Sequence, residues 1–358
     1  MRRIISGAVF VAGLFAACTH QGQNNQENEN MTTLELTQEW DKTFPKSEKV
    51  EHRKVTFHNR YGIELAADMY VPMEHPADGK RFPAIAVCGP FGAVKEQASG
   101  LYAQQMAERG FLTLAFDPSF TGESGGEVRR VASPDINTED FCAAVDFLSV
   151  QDNVDSARIG LLGICGWGGL AINAAASDTR VKATVASTMY DMSRVISNGY
   201  NDADDNEEAR YKMKEAVNAQ RVEDYRNDAY ARAGGVVDPL PEDAPQFVKE
   251  YYAYYKTPRG YHERSGNSTD GWNVTSVLSF INFPLLHRAG EIRNAVMIVH
   301  GEKAHSLYFG QDAFKKLKGD NKEMLIVEDA NHVDLYDNLE KIPFDQIATF
   351  FNRWMPEK

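Results

Sequence analysis

Strand-length runs rich in apolar residues recur at 84–88, 111–116, 158–162, 181–187, 295–299 and 323–327, with helix-length segments between most of them, and 84–88 is continuously apolar. A run with no polar alternate has both faces covered, which is the mark of a strand inside a parallel sheet. Helical segments at 97–109, 139–148, 312–317 and 344–354 supply the covering layers, the first stopped by Gly110. Strand and helix in alternation imply a doubly wound, mostly parallel sheet of the α/β class. Two further strands, 54–57 and 65–71, precede it and are joined by the turn Asn59-Arg60-Tyr61-Gly62. From 192 to 293 the alternation stops. The acidic Asp202-Ala203-Asp204-Asp205, a helical run to Arg232 and the aromatic Tyr251-Tyr252-Ala253-Tyr254-Tyr255 read as a helical cap inserted between two strands of one sheet. A separate second domain is disfavoured, because the later strands need the earlier sheet to cover their edges. The folded domain is expected over 50–356.

The N-terminus predicts the compartment. Arg2 and Arg3 precede an apolar run, 4–17, that is short for a bilayer span and ends in Leu14-Phe15-Ala16-Ala17-Cys18, which resembles a bacterial lipobox. Residues 1–18 are expected to be a lipoprotein signal peptide, with Cys18 taking the lipid; an ordinary secretory signal is the alternative. Residues 19–30 are almost wholly Gln, Asn and Glu, so 19–49 reads as a polar tether and N-terminal segment. The expected site is the bacterial cell envelope, with the protein lipid-anchored to the membrane and facing the periplasm. Cys88, Cys142 and Cys165 then remain, an odd number that requires a free thiol. A formal charge of −13 argues against nucleic acid as a partner.

The strongest chemical signal is Gly163-Ile164-Cys165-Gly166-Trp167-Gly168-Gly169, where a buried strand turns sharply into a small-residue helix. A nucleophile at such a turn is lifted above the sheet edge, and flanking glycines let backbone pass without a Cβ clash. The helix N-terminus is expected to lower the thiol pKa, and the Gly166 N–H to meet a developing oxyanion. Trp167 stands where a second glycine is usual and is expected to crowd the pocket; Gly168 and Gly169 can take over close packing. His332, after the last strand in Asp329-Ala330-Asn331-His332-Val333-Asp334, is the candidate base. The acid is open: His300-Gly301-Glu302-Lys303-Ala304-His305 has Ala304 where an Asp is usual, leaving Asp191, then Glu302, then Asp334 or no acid at all. In Gly89-Pro90-Phe91-Gly92, Pro90 has no N–H, so Phe91 is the second oxyanion donor and Gly92 the reserve. Asp117 and Gly122-Glu123-Ser124-Gly125-Gly126 read as a structural turn, and the cap aromatics as packing or an acyl pocket. The nine histidines form no metal-ligand array, and no dinucleotide or Walker loop occurs, so no metal or cofactor is expected.

With these residues in place, 50–356 resembles the α/β-hydrolase superfamily, and within it dienelactone-hydrolase-like and acyl-peptidase-like bacterial proteins. The likeness is carried by Val94-Lys95-Glu96-Gln97, Gly163-Ile164-Cys165, Thr257-Pro258-Arg259-Gly260-Tyr261-His262, the His300 to Ser306 stretch and His332-Val333-Asp334-Leu335-Tyr336. It implies an α/β-hydrolase fold and a Cys nucleophile with His, here Cys165 and His332; Ala304 leaves the family's Asp unmatched. The expected activity is cleavage of an ester, thioester or related acyl bond of a small molecule through a Cys165 acyl-enzyme. The alternatives are a peptidase acting on short peptides and a non-catalytic ligand-binding protein on the same scaffold.

Overall fold

The computed structural model describes residues 34–77 and 79–357. The expected signal peptide, Cys18 and the Gln/Asn-rich part of the expected tether lie outside the described residues. No helix among the described residues is long and apolar enough to cross a membrane.

Eight strands form one sheet: β1 (Val50–His58), β2 (Glu64–Pro72), β3 (Phe82–Cys88), β4 (Leu112–Phe116), β5 (Val154–Ile164), β6 (Val181–Ser187), β7 (Ala295–Gly301) and β8 (Lys322–Val327), in the order β1-β2-β4-β3-β5-β6-β7-β8. β1 and β2 form the antiparallel hairpin, and β2 pairs antiparallel with β4. All remaining pairings are parallel, with β3 between β4 and β5. The apolar-rich runs are the parallel strands: every residue of β3, β4 and β7 is buried. The covering helices include α1 (Ala98–Ala107), α2 (Pro134–Ser149) and α3 (Gly166–Ser177). α2 starts five residues earlier than its apolar pattern suggests, because Ser133 caps it and Pro134 fits its first turn. Between β6 and β7 the chain forms α4 (Met192–Asn198), α5 (Glu207–Asn227), α6 (Gln246–Tyr255) and α7 (Val277–Ile281). After β7 come α8 (Leu307–Lys316), the short α9 (Asp334–Asp337) and α10 (Phe344–Trp354), whose Phe351 ring packs against β5 at Gly160.

Chain order reverses around β3: it continues to β4 on one side and then to β5 on the other. The carboxyl ends of β3 and β5 therefore face a common crevice, the usual place for a site in such a sheet.

Beside this crevice lies a buried ionic cluster. The Lys95 ammonium, fully buried, sits 2.7 Å from Glu96, 2.8 Å from Asp117 and 2.6 Å from Glu123. Lys54 joins Glu123, while Arg264 ties Glu96 to Asp41 of the N-terminal segment. The cations pull the Glu123 carboxyl down to about 2 against the opposing effect of burial. Removing the central cation leaves buried Asp117 with no cationic partner and weakens the pairing of Glu96 and Glu123. Lys95→Met is expected to destabilise the protein by about 3–5 kcal/mol, read as a lower urea midpoint; a midpoint equal to wild type would show that the cluster contributes nothing to stability.

Candidate active site

Cys165 sits between β5 and α3 with φ 59° and ψ −129°, a left-handed turn that a side chain adopts only where its surroundings hold it there. The surrounding glycines explain how the turn fits. A Cβ on Gly163 would run into the Trp167 carbonyl, one on Gly168 would lie 2.6 Å from the Met189 Cβ, and one on Gly169 would strike the Tyr190 carbonyl. Gly168 and Gly169 thus take the close-packing role. Trp167 does not crowd the sulfur as expected: it is buried and its indole packs edge-on against Phe141 and Phe116, with centroids 5.5 and 5.9 Å away.

The backbone N–H groups of Phe91 and Gly166, the expected oxyanion donors, stand beside the Cys165 sulfur. Phe91 is fixed by Trp272 and Phe280 rings on its edge, and its carbonyl accepts from Asn267 at 2.7 Å. Cys88 is a separate packed thiol bonded to the Phe116 carbonyl at 3.4 Å, and Cys88, Cys142 and Cys165 are all free.

His332 is fully buried, and a phenol stands beside both it and the sulfur. The Tyr336 hydroxyl lies 3.0 Å from His332 Nε2 and is a neighbour of Cys165. Tyr102 holds this loop through the Leu335 carbonyl, 2.7 Å away. On the other edge of the ring, Nδ1 meets Ser306 Oγ at 2.6 Å and Thr188 Oγ1 at 2.9 Å. The Thr188 hydroxyl also donates to the His332 carbonyl at 3.3 Å, which leaves its lone pairs facing Nδ1. The arrangement that satisfies these groups has the proton on Nδ1 and Nε2 accepting from Tyr336.

The expected acids are elsewhere. Asp191 caps α4 by accepting from the Arg194 N–H at 3.0 Å, and Glu302 accepts from the Asp329 N–H at 3.1 Å. Asp334 accepts from the Asn331 N–H at 2.9 Å. Among the described residues the ring is oriented by two hydroxyls and no carboxylate. Position 304 lies in the turn that delivers Ser306, so the loop expected to carry the acid does orient the histidine, two residues later and without charge. Ser306 follows Ala304 by two residues and carries a hydroxyl where a carboxylate is usual in this loop.

The electrostatics follow from burial. Burial pushes the Cys165 thiol up, outweighing the lowering by Tyr336 and by the Phe91 and Gly166 N–H groups, the latter at the helix N-terminus. Burial beside His305 and His300 holds His332 well below the usual histidine range. Both shifts favour a neutral thiol–imidazole pair at rest. Iodoacetamide should therefore alkylate Cys165 more slowly than free cysteine at pH 7, with a rate that climbs through and beyond pH 9, followed by peptide mass mapping. A fast plateau below pH 7 would reveal a thiolate–imidazolium pair instead.

α6 roofs this site with Tyr251 and Tyr255, and Cys165 retains only 7% of its surface exposed. The Tyr251 ring stands 5.5 Å from His332, and Tyr190 stands 5.3 Å from it. His305 sits 4.9 Å from His332, stacked on Phe247. Burial lowers His305 to about 4, so it too is neutral near pH 7.

The comparisons with known proteins agree with this architecture. The family model described as X-Pro dipeptidyl-peptidase (S15 family) matches residues 61–334. The Pseudomonas aeruginosa protein PA2218 is 55% identical over 355 residues, covering 97% of this chain and 94% of its own length. A crystal structure of PA2218 matches with a TM-score of 0.87 at 57% identity, over 90% of this chain and 99% of that one. The α/β hydrolase GrgF from Penicillium sp. sh18 has the same fold, with a TM-score of 0.68 at 23% identity over 86% of this chain and 100% of that one. A shorter match, 34% identical over 140 residues, is to thiohydrolase aneE of Aspergillus aculeatus and covers 39% of this chain and 42% of that protein. On sheet order, nucleophile turn and family match together, this chain belongs to the X-Pro dipeptidyl-peptidase (S15) family and is a hydrolase of the α/β-hydrolase fold.

Proposed function

We propose that the protein hydrolyses an ester or thioester through an acyl-enzyme on Cys165. The observation that carries this reading is the gathering of Cys165, Tyr336 and His332, with the Tyr336 hydroxyl bonded to His332 Nε2 at 3.0 Å and two backbone N–H groups beside the sulfur. As the sulfur attacks the acyl carbon, the thiol proton passes to the Tyr336 oxygen and the Tyr336 proton passes to His332 Nε2, so the phenol ends neutral. The Phe91 and Gly166 N–H groups hold the oxyanion. The imidazolium returns the proton along the same line to the departing alkoxide or thiolate. Water then attacks the thioester, again giving its proton to His332, and free acid and thiol are restored.

A neutral orienter suits this chemistry. Hydroxyls stabilise an imidazolium less than a carboxylate does, and a thiol needs less help to ionise than an alcohol. Thiolate leaving groups need little protonation, which favours thioesters, and the partial likeness to a thiohydrolase points the same way. The family match favours a second reading, hydrolysis of short proline-containing peptides. It requires a well-protonated amine leaving group from a histidine held far below neutrality, and so stands second. The lipid anchor on Cys18 and a cell-envelope location remain part of the proposal.

The test is a substrate panel for the purified protein: p-nitrophenyl esters, N-acetylcysteamine thioesters and aminoacyl-prolyl anilides. Turnover of esters and thioesters at least about a hundredfold above the anilides supports acyl transfer. The reverse order establishes the peptidase, and no turnover of any class favours a binding protein on a hydrolase scaffold.

A further inference from the structure

A cavity of about 750 Å³ opens between α4, α7 and the end of α8, within the roughly 300–1,000 Å³ typical of small-molecule sites. Neither Cys165 nor His332 lines it, so it is a place apart from the candidate active site. Its floor is apolar. Leu285 is buried, its Cδ2 3.1 Å from where a Cβ on Gly169 would stand, and Phe280 and Leu286 are buried beside it. Ile281 and Phe283 line the same cavity and stay partly exposed.

The polar groups of the lining are unevenly paired. Asp191, its one carboxylate, is committed to the Arg194 N–H at 3.0 Å, and the Arg194 guanidinium is tied to Asp202 and Asp312. Lys315 pairs with Asp312 at 2.9 Å, but among the described residues Lys316 and Lys318, both exposed and both in the lining, form no ion pair. A Cβ on Gly290 would lie 3.0 Å from the Lys316 carbonyl and 3.3 Å from Lys318 Cε, so the lysine stem runs along this wall. The Ser193 hydroxyl, also in the lining, is buried without a hydrogen-bond partner among the described residues. A buried hydroxyl left unpaired is costly and rare in folded proteins.

Two uncommitted ammonium groups beside an apolar floor, in a chain of formal charge −13, select for a ligand that is negative at one end and hydrocarbon at the other. A small polar anion would leave Ile281, Phe283 and Leu286 uncovered, and a neutral hydrocarbon would leave the lysines unused. We propose that this cavity binds a long-chain carboxylate, its head at Lys316 and Lys318 and its chain over Ile281, Phe283 and Leu286. The site is independent of the acyl-transfer reading of Cys165.

The test is isothermal titration of the protein with sodium laurate below its micelle concentration, with dodecyltrimethylammonium as the same chain on an opposite head. Laurate should saturate the protein and bind about tenfold or more tighter than the cation. Lys316→Gln combined with Lys318→Gln should weaken laurate by about three- to thirtyfold, and Ile281→Asp by at least about tenfold. None of the three side chains is fully buried, so the melting temperature should stay near that of wild type and loss of binding reports on the cavity rather than on folding. Laurate that fails to bind wild type, that binds no tighter than dodecyltrimethylammonium, or that binds both variants as tightly as wild type overturns the inference. Each of those results leaves the acyl-transfer reading standing.

Discussion

Cys165→Ala is expected to lower kcat toward acyl esters and thioesters by on the order of 10⁵-fold while the protein stays folded. Loss of the nucleophile removes the covalent route altogether, and what remains is whatever the Phe91 and Gly166 N–H groups do for direct attack by water. The fold should survive because alanine keeps the Cβ and removes one sulfur atom, and the left-handed backbone at 165 is held by the Ser187 and Tyr190 backbone contacts rather than by the side chain. Circular dichroism and the melting temperature check this second half. Activity within tenfold of wild type would remove Cys165 from the mechanism.

Replacing the base should cost nearly as much. His332→Ala is expected to lower kcat by roughly 10³- to 10⁵-fold, because residues that act as a unit lose most of the effect when one member is removed. Tyr336→Phe should fall between, at about 10- to 100-fold, since it interrupts the proton path but keeps both ends and the ring that fills the space. The order His332→Ala below Tyr336→Phe below wild type is the signature of a relay. Tyr336→Phe at the wild-type rate would show that sulfur and imidazole exchange the proton without the phenol. The acid limb of kcat/KM carries a second signature. The imidazole is held well below 6.5, so it stays a neutral base as pH falls, and activity should persist to about pH 5 where an ordinary histidine would already be protonated.

The fold was readable because burial on both faces writes itself as apolar runs in central strands such as β3 and β7. β6 and α10 have the boundaries that their patterns predict, Val181–Ser187 and Phe344–Trp354. The nucleophile turn was readable for a similar reason: glycines at 163, 168 and 169 are required by backbone approaching within contact distance. The orientation of His332 was not. Rules for catalytic acids look for carboxylates at set offsets, whereas Ser306 and Thr188 come from loops 26 and 144 residues away and are hydroxyls that look unremarkable in any sequence. Tyr336 was hidden differently. It stands four residues after His332, but the segment between them includes Leu335 at ψ 15°, away from regular helix, so helical spacing does not foretell the contact. The helix N-terminus that lowers the thiol pKa is legible in sequence, while the depth of burial that outweighs it is not.

The most direct test of the central claim is to locate the covalent intermediate. Wild-type protein mixed with p-nitrophenyl acetate, quenched in acid within the first turnovers and digested should yield an acetyl group on the peptide containing Cys165, labile to hydroxylamine as a thioester is. An acetyl group that accumulates instead on a serine, or turnover with no acylated peptide under any quench time, would contradict the account.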